Sequence, residues 1–315
     1  MPPCYRNCPE EVLDAARKNR LSVSTAPRRA ATFMSGDKAI TLGTLRLTGG
    51  TSCAVINGGS AAVIPGYDDV RALLAAGDEG LRLARAAATN GTWIQLDPDA
   101  VLVPVVAPGA VFCVGMNYRA HIREMGRELP EHPTLFAKFT RSLAPPFAPV
   151  KLPVASDAVD YEGELVVVVG RGGRDIPTEQ AHQHIGGYTL MNDVSMRDWQ
   201  YRSIEWTAGK NFESSTPVGP YVVTPDAVDL ERSEIVVTLN GEVRQRAPLA
   251  DLVFDPATLI ADISRFTALE PGDLIATGTP GGVGHAMDPP SYLRDGDVVE
   301  VTVDGIGTLS TRFVA

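Results

Sequence analysis

The residues Asp160-Tyr161-Glu162-Gly163-Glu164 run directly into Leu165 and four consecutive valines, Val166 to Val169, closed by Gly170. An apolar run bounded by glycine reads as a buried strand. Successive side chains of a strand point to opposite faces, so Glu162 and Glu164 share one. Two carboxylates side by side at the mouth of an apolar strand raise each other's pKa unless a cation lies between them. A hard divalent ion bound through oxygens resolves that conflict. A third oxygen ligand is suggested by Asp193, at the end of a second short strand through Gly187–Met191. Ser195 to Tyr201 then reads as a helix, and Asp193, Arg197 and Gln200 stand at i, i+4 and i+7, on one side of it. In the plainer arrangement Asp193 caps that helix and pairs with Arg197, while the glutamates lie on a solvated edge. The set taken together points instead to a Mg2+-type site, because glutamates are depleted beside a continuous valine core.

Other residues fit the same chemistry less specifically. Asn117 is placed to cap a helix through Met125. On that helix His121 and Glu124 are three apart, where the carboxylate can hold the imidazole tautomer and raise its basicity. An exposed surface pair accounts for that spacing equally simply. Gly126 to Pro133 is polar and proline-bounded, as a lid would be. Lys210 lies between Trp206 and Phe212 and is either a surface residue or a partly desolvated electrostatic group. Gly278-Thr279-Pro280-Gly281-Gly282-Val283-Gly284 is a loop whose N–H groups suit a carboxylate or an oxyanion, or a plain glycine-rich turn.

These elements sit in a chain of 315 residues that is 44% hydrophobic, enough for a sizeable core. With 28 Lys+Arg against 38 Asp+Glu the net charge is -10, which argues against nucleic acid and anionic membrane partners. The apolar runs are short of a bilayer span and the first thirty residues have no apolar core of a signal peptide, so a cytoplasmic protein is expected. Four cysteines, Cys4, Cys8, Cys53 and Cys113, make neither a disulfide framework nor a paired zinc site.

Residues 1–29 read as an extension with a short helix over Glu10–Asn19. Residues 30–105 read as a small β-rich domain, with strands in Ala39–Leu47, Cys53–Ile56 and Ala61–Ile64 and helical spacing over Val70–Ala88. Residues 106–315 carry the chemistry. There the strands Ala110–Gly115 and Leu274–Thr277, the Asn240-Gly241 hairpin, the helix Leu259–Leu269 and a C-terminal hairpin predict an α+β protein, mainly β. Many short strands with few helices imply a mixed β-roll or barrel rather than a doubly wound sheet.

Several stretches resemble the fumarylacetoacetate hydrolase superfamily, in its acylpyruvase-like branch. They are Val114–Tyr118 with His121 and Glu124, Asp160–Leu165, Gly187-Tyr188 with Asn192–Gln200, Gly209-Lys210, Pro217–Pro220, Leu239–Gly241, and Pro271 to Gly284. The resemblance implies a homodimer and Mg2+ or Mn2+ held by Glu162, Glu164 and Asp193. It implies His121 and Glu124 as a water-activating dyad beneath a lid, with Lys210 stabilising developing charge. Arg197, Gln200, Gly278, Thr279 and Lys138 fall among its substrate-binding positions. Phe139 stands where the family usually has proline, so the pocket beside Lys138 is expected to differ. The activity implied is hydrolysis of a C–C bond in a 1,3-diketo acid such as an acylpyruvate or fumarylpyruvate. Decarboxylation or keto-enol isomerisation of an oxaloacetate-like diacid passes through the same enolate and is the alternative.

Overall fold

The computed structural model describes residues 39–124 and 126–315, without the side chain of Glu124. The readings of an extension over residues 1–29 and a helix over Glu10–Asn19 lie outside the described residues. The architecture is α+β, mainly β.

Its centre is the strand Gly163–Val169, in which every residue is buried. It pairs antiparallel with Ile185–Asn192 on one side and with Leu274–Ala276 on the other. Both faces are covered, which is why the valine run is continuous rather than alternating with polar residues. Leu165, Val167 and Val169 pack in one apolar cluster with Val237, Val301, Leu309 and Phe313. Val166 and Val168 pack in another with Leu73, Leu74, Val111 and Leu274.

Among the described residues the central strand belongs to an eleven-stranded sheet. Beyond Ile185–Asn192 come Thr216–Val223, Thr41–Leu47, Gly50–Asn57, Ser60–Val63 and Trp93–Gln95, so the strands of the first third extend the sheet that carries the carboxylates. On the other flank Leu274–Ala276 pairs in parallel with Val111–Gly115, which pairs antiparallel with Thr134–Ala137. A five-stranded sheet, Glu242–Pro248, Glu234–Leu239, Val298–Val303, Gly307–Val314 and Val150–Lys151, supplies the opposing layer. The Asn240-Gly241 turn has φ of 53° and 82° at its two residues, the positive pair that a type I′ hairpin requires.

Two local expectations are corrected. Asn117 does not cap the following helix, Arg119–Glu124. Its amide donates to Phe254 O and Thr277 O and accepts from Phe254 N, and the helix N-terminus is served by Asp251 Oδ2, which accepts from Ala120 N. A fully buried amide with three backbone groups in reach has more to gain there than at a cap. The second correction concerns Ser195–Tyr201, which is not one helix. Ser195–Met196 pairs with Val159–Asp160, and only Arg197–Gln200 is helical. No described helix is long and apolar enough to cross a membrane.

The close approach of the two sheets is measured at Gly163, where an added Cβ would lie 2.3 Å from Val237 Cγ2 and 3.1 Å from Val301 Cγ1. Gly163→Ala is therefore expected to destabilise the fold by about 1–3 kcal/mol through overpacking. A melting temperature equal to wild type by circular dichroism would show that the sheets accommodate the methyl.

Candidate active site

Strand register assembles the acidic group. Gly163 pairs with Asn192 and Glu164 with Met191, which sets the residues just beyond the pairing, Glu162 and Asp193, against each other. Two hydrogen bonds fix the junction, from Asp193 N to Glu162 O at 2.7 Å and from Glu162 N to Asn192 Oδ1 at 3.0 Å. Glu162, Glu164 and Asp193 are all buried and offer oxygens within 4.8 Å of one another.

Three buried cations surround them. Lys210 Nζ bridges Glu162 Oε2 and Asp193 Oδ2, 2.7 Å from each, and Lys138 Nζ lies 2.5 Å from Asp193 Oδ1. Arg197 reaches Glu162 Oε1 at 2.6 Å and Gln200 Oε1 at 2.9 Å. On its other side Arg197 donates through Nε to Asp160 Oδ2 at 2.9 Å; Nη2 lies 2.8 Å from the same oxygen, in ion-pair range but not aligned as a hydrogen bond. Arg197 thus pairs with Asp160 and Glu162, and Asp193 with the two lysines. Lys210 is not a surface residue: it is 2% exposed. Gly209 makes this possible, since a Cβ there would meet Gln200 N at 2.4 Å.

The carboxylates divide electrostatically. Burial alone would raise Asp193, but Lys138 and Lys210 outweigh it and hold the carboxyl down to about 2. Burial would likewise strip Lys210 of its proton, and Asp193 with Glu162 reverse this and raise its pKa. Glu164 is different. Burial, then Asp193 and Glu162, push its carboxyl well above the usual range. Its Oε2 accepts from Gly278 N at 2.9 Å, and among the described residues no basic side chain lies within ion-pair distance. Counting Asp160, four buried carboxylates face three buried cations. With all four ionised, one negative charge would be in excess, and it falls on Glu164, the carboxyl that burial pushes towards its neutral form. An all-oxygen donor set with an uncompensated charge fits a hard divalent cation.

A cavity of about 380 Å³ opens at Pro280–Gly282, on the loop whose first residue, Gly278, bonds Glu164. His121, Tyr118, Asp251, Arg244 and Pro280–Gly282 line it. The structure therefore brings Lys138, Arg197 and Lys210 onto the acidic cluster, joins Gln200 to Arg197, and seats His121 in the cavity. Thr279 Oγ1 donates to Gly163 O at 3.0 Å and accepts from Gln245 Nε2 at 2.8 Å. The described residues do not include the Glu124 side chain, so its place relative to His121 is outside them.

Sequence reasoning missed three contributors. Asp160 is fully buried and accepts from Gly284 N and His285 N besides Arg197, tying the glycine-rich loop to the guanidinium. Asn192 positions Glu162, as above. Gln245, 1% exposed, bridges Gly163 N, Thr279 Oγ1 and Pro280 O. The signal for Gln245 was its inward parity with Ala247 on a half-buried strand; a polar residue there needs several partners.

A strand-register triad of carboxylates, balanced by buried cations and linked by one loop to a cavity, on two packed mixed sheets defines a class of small-molecule enzyme. Residues 110–314 match the family model described as fumarylacetoacetate (FAA) hydrolase C-terminal. The chain belongs to this family. Over 267 residues, 82% of this chain and 84% of the relative, it is 36% identical to oxaloacetate tautomerase fahd2, mitochondrial, from Xenopus laevis. Among solved structures it superposes on a fumarylacetoacetate hydrolase from Exiguobacterium antarcticum with TM-score 0.78 and 34% identity, covering 88% of this chain and 99% of that one. It superposes on maleylpyruvate hydrolase from Sphingobium sp. SYK-6 with TM-score 0.72 and 29% identity, covering 87% and 99%.

Glu164 provides a test of the charge balance. Because its folded pKa is raised, the stability it contributes is full below the usual carboxylate value of 4.5 and is lost as pH rises above it. In EDTA, Glu164→Gln is expected to melt higher than wild type at pH 7, with the difference closing towards pH 4.5. Wild type melting as high as the variant at pH 7 would show that Glu164 carries no uncompensated charge.

Proposed function

We propose that the protein interconverts the keto and enol forms of an oxaloacetate-like 2-oxo diacid, at a site where Glu162, Glu164 and Asp193 hold Mg2+ or Mn2+. The observation that carries this reading is that the buried cluster holds one carboxyl more than its cations, so that with every carboxyl ionised it has one negative charge in excess. A divalent cation turns that excess into one positive charge, which suits an anionic oxo acid. The mitochondrial tautomerase from Xenopus laevis supports the reaction class, since its name is that of an oxaloacetate tautomerase. When bound, such a cation supplies Lewis-acid polarisation of the 2-oxo group and so acidifies the hydrogens on C3.

The chain's own residues do the rest. Lys210, held protonated by Glu162 and Asp193, serves as a fixed positive charge for the enolate oxygen rather than as a base. Lys138 keeps Asp193 ionised. Arg197, clamped by Asp160 and joined to Gln200, presents a positive edge to the substrate carboxylate, with Gln200 orienting it. Gly278 and Thr279 begin the loop whose Pro280–Gly282 line the cavity, Gly278 N spending its hydrogen bond on Glu164. His121, in the cavity, takes the proton from C3 as the enolate forms, and the protonated imidazole delivers a proton to the enolate oxygen; the reverse transfers give back the keto form.

The second reading is hydrolysis of a C–C bond in a diketo acid. It is favoured by the likeness to maleylpyruvate hydrolase and by His121 in a cavity large enough for a water beside the substrate. It uses the same residues, with His121 activating that water. The two readings differ in product. Oxaloacetate diluted from a solvent that enriches its enol should lose ultraviolet enol absorbance faster with protein and Mg2+ than with protein and EDTA, and without releasing pyruvate. Metal-dependent release of pyruvate from acetylpyruvate or fumarylpyruvate, with oxaloacetate unaffected, would transfer the assignment to the hydrolase.

Two substitutions separate metal from proton transfer. Glu164→Ala is expected to abolish calorimetric Mg2+ binding with the fold retained. His121→Ala is expected to keep Mg2+ binding and to lose about 10²- to 10⁴-fold in turnover, the usual contribution of a positioned acid–base group. Undiminished turnover would remove His121 from the proton path.

A further inference from the structure

The lining of the cavity is basic. Arg244 and Arg246 line it with His121, against one acidic side chain, Asp251, whose Oδ2 is already engaged by Ala120 N. Both arginines lie on the edge strand Glu242–Pro248. Arg246 pairs with Glu234. Among the described residues Arg244 spends only Nη2 on a side-chain partner, Glu242 at 2.9 Å, a residue that is itself largely exposed. Its Nε is buried and makes no hydrogen bond among the described residues. A guanidinium offers five donors in a planar fork, so a buried Nε with no acceptor is a place for a ligand oxygen.

Arg244 is also fixed with respect to the carboxylate cluster. Its neighbour Gln245 holds Thr279 and Pro280, and Gly282, at φ +100°, presses so closely on Arg244 O that an added Cβ would lie 2.0 Å away. Tyr161 closes the same loop by donating to Gly282 O at 3.0 Å. That loop runs from Gly278 at the Glu164 carboxylate to Gly282 at Arg244, along one side of the cavity. A ligand lying along it would have the metal-type cluster at one end and the arginine fork at the other.

Building on the 2-oxo diacid reading above, we propose that Arg244 determines the substrate class by binding the second, distal carboxylate of a dicarboxylic 2-oxo acid. The head of the substrate, carboxylate and 2-oxo oxygen, belongs at Glu162, Glu164 and Asp193. The tail carboxylate pairs with the Nε edge of Arg244, leaving Glu242 on Nη2. Arg246, already committed to Glu234, adds positive potential without a direct bond.

Oxaloacetate and pyruvate share the 2-oxo acid head and differ by the distal carboxylate, which makes them the probes. Their affinities for the Mg2+-loaded protein are measured by calorimetry, a readout that does not need turnover. Wild type should bind oxaloacetate more tightly than pyruvate. In Arg244→Met that preference should fall by about 10- to 100-fold, the worth of a charged hydrogen-bonded pair, with the loss falling on oxaloacetate. Arg244→Lys should recover part of it, since it restores charge without the fork. Equal losses for both ligands, or a preference retained in Arg244→Met, would overturn the proposal. If wild type shows the preference but does not tautomerise oxaloacetate, the assigned reaction fails and the role of Arg244 stands. If wild type binds both alike, the role of Arg244 fails whatever the reaction.

Discussion

The structure depends on keeping four carboxyl groups in a buried interior. Each buried charge carries a desolvation cost of several kcal/mol, and the fold tolerates Asp160, Glu162 and Asp193 because Arg197, Lys138 and Lys210 are delivered to them at ion-pair distance. Much of the local architecture follows from that need. Gly209 clears the approach of Lys210, Asp160 anchors Arg197, and Asn192 locks the backbone of Glu162. Removing one partner of such a pair leaves the other charge buried alone, at a cost of about 3–5 kcal/mol. The cluster is accordingly a structural commitment of the two sheets as well as a chemical one.

Glu164 stands outside this compensation. Burial, then Asp193 and Glu162, push it towards the protonated form, and Lys210 and the Gly278 N–H offset this only in part. An environment that disfavours its ionised state without a cation is one that rewards a cation when it arrives. The fold thus stores at Glu164 the charge deficit that a divalent ion relieves. The ammonium of Lys210, fixed between Glu162 and Asp193, is hydrogen-bonded to both.

The strands of the first third bear on function indirectly. Thr41–Leu47 pairs with Thr216–Val223, which in turn pairs with Ile185–Asn192, the strand that ends at Asp193. Their contribution is to continue the sheet beside the site rather than to supply groups to it. The cavity is walled instead by the opposing sheet, through Arg244, Arg246 and Ala247, and by the Gly278–Gly284 loop. The two ends of the proposed substrate are therefore read by different sheets.

The sequence by itself determined the parts whose rules are local. Strand alternation placed Glu162 and Glu164 on one face, the valine run marked the strand buried on both sides, and Asn240-Gly241 specified a turn that needs two positive φ values. It also located Asp193 and the residues that cluster around it, because their types and order match a family. Tertiary structure decided which cation meets which carboxylate. Helical spacing paired Arg197 with Asp193, whereas the bridge between Ser195–Met196 and Val159–Asp160 turns Arg197 towards Asp160 and Glu162 and leaves Asp193 to two lysines distant in sequence. Asn117 and Gln245 follow the same logic: what a buried amide bonds to is set by the backbone groups the fold brings within 3 Å, and spacing along one chain carries no record of that.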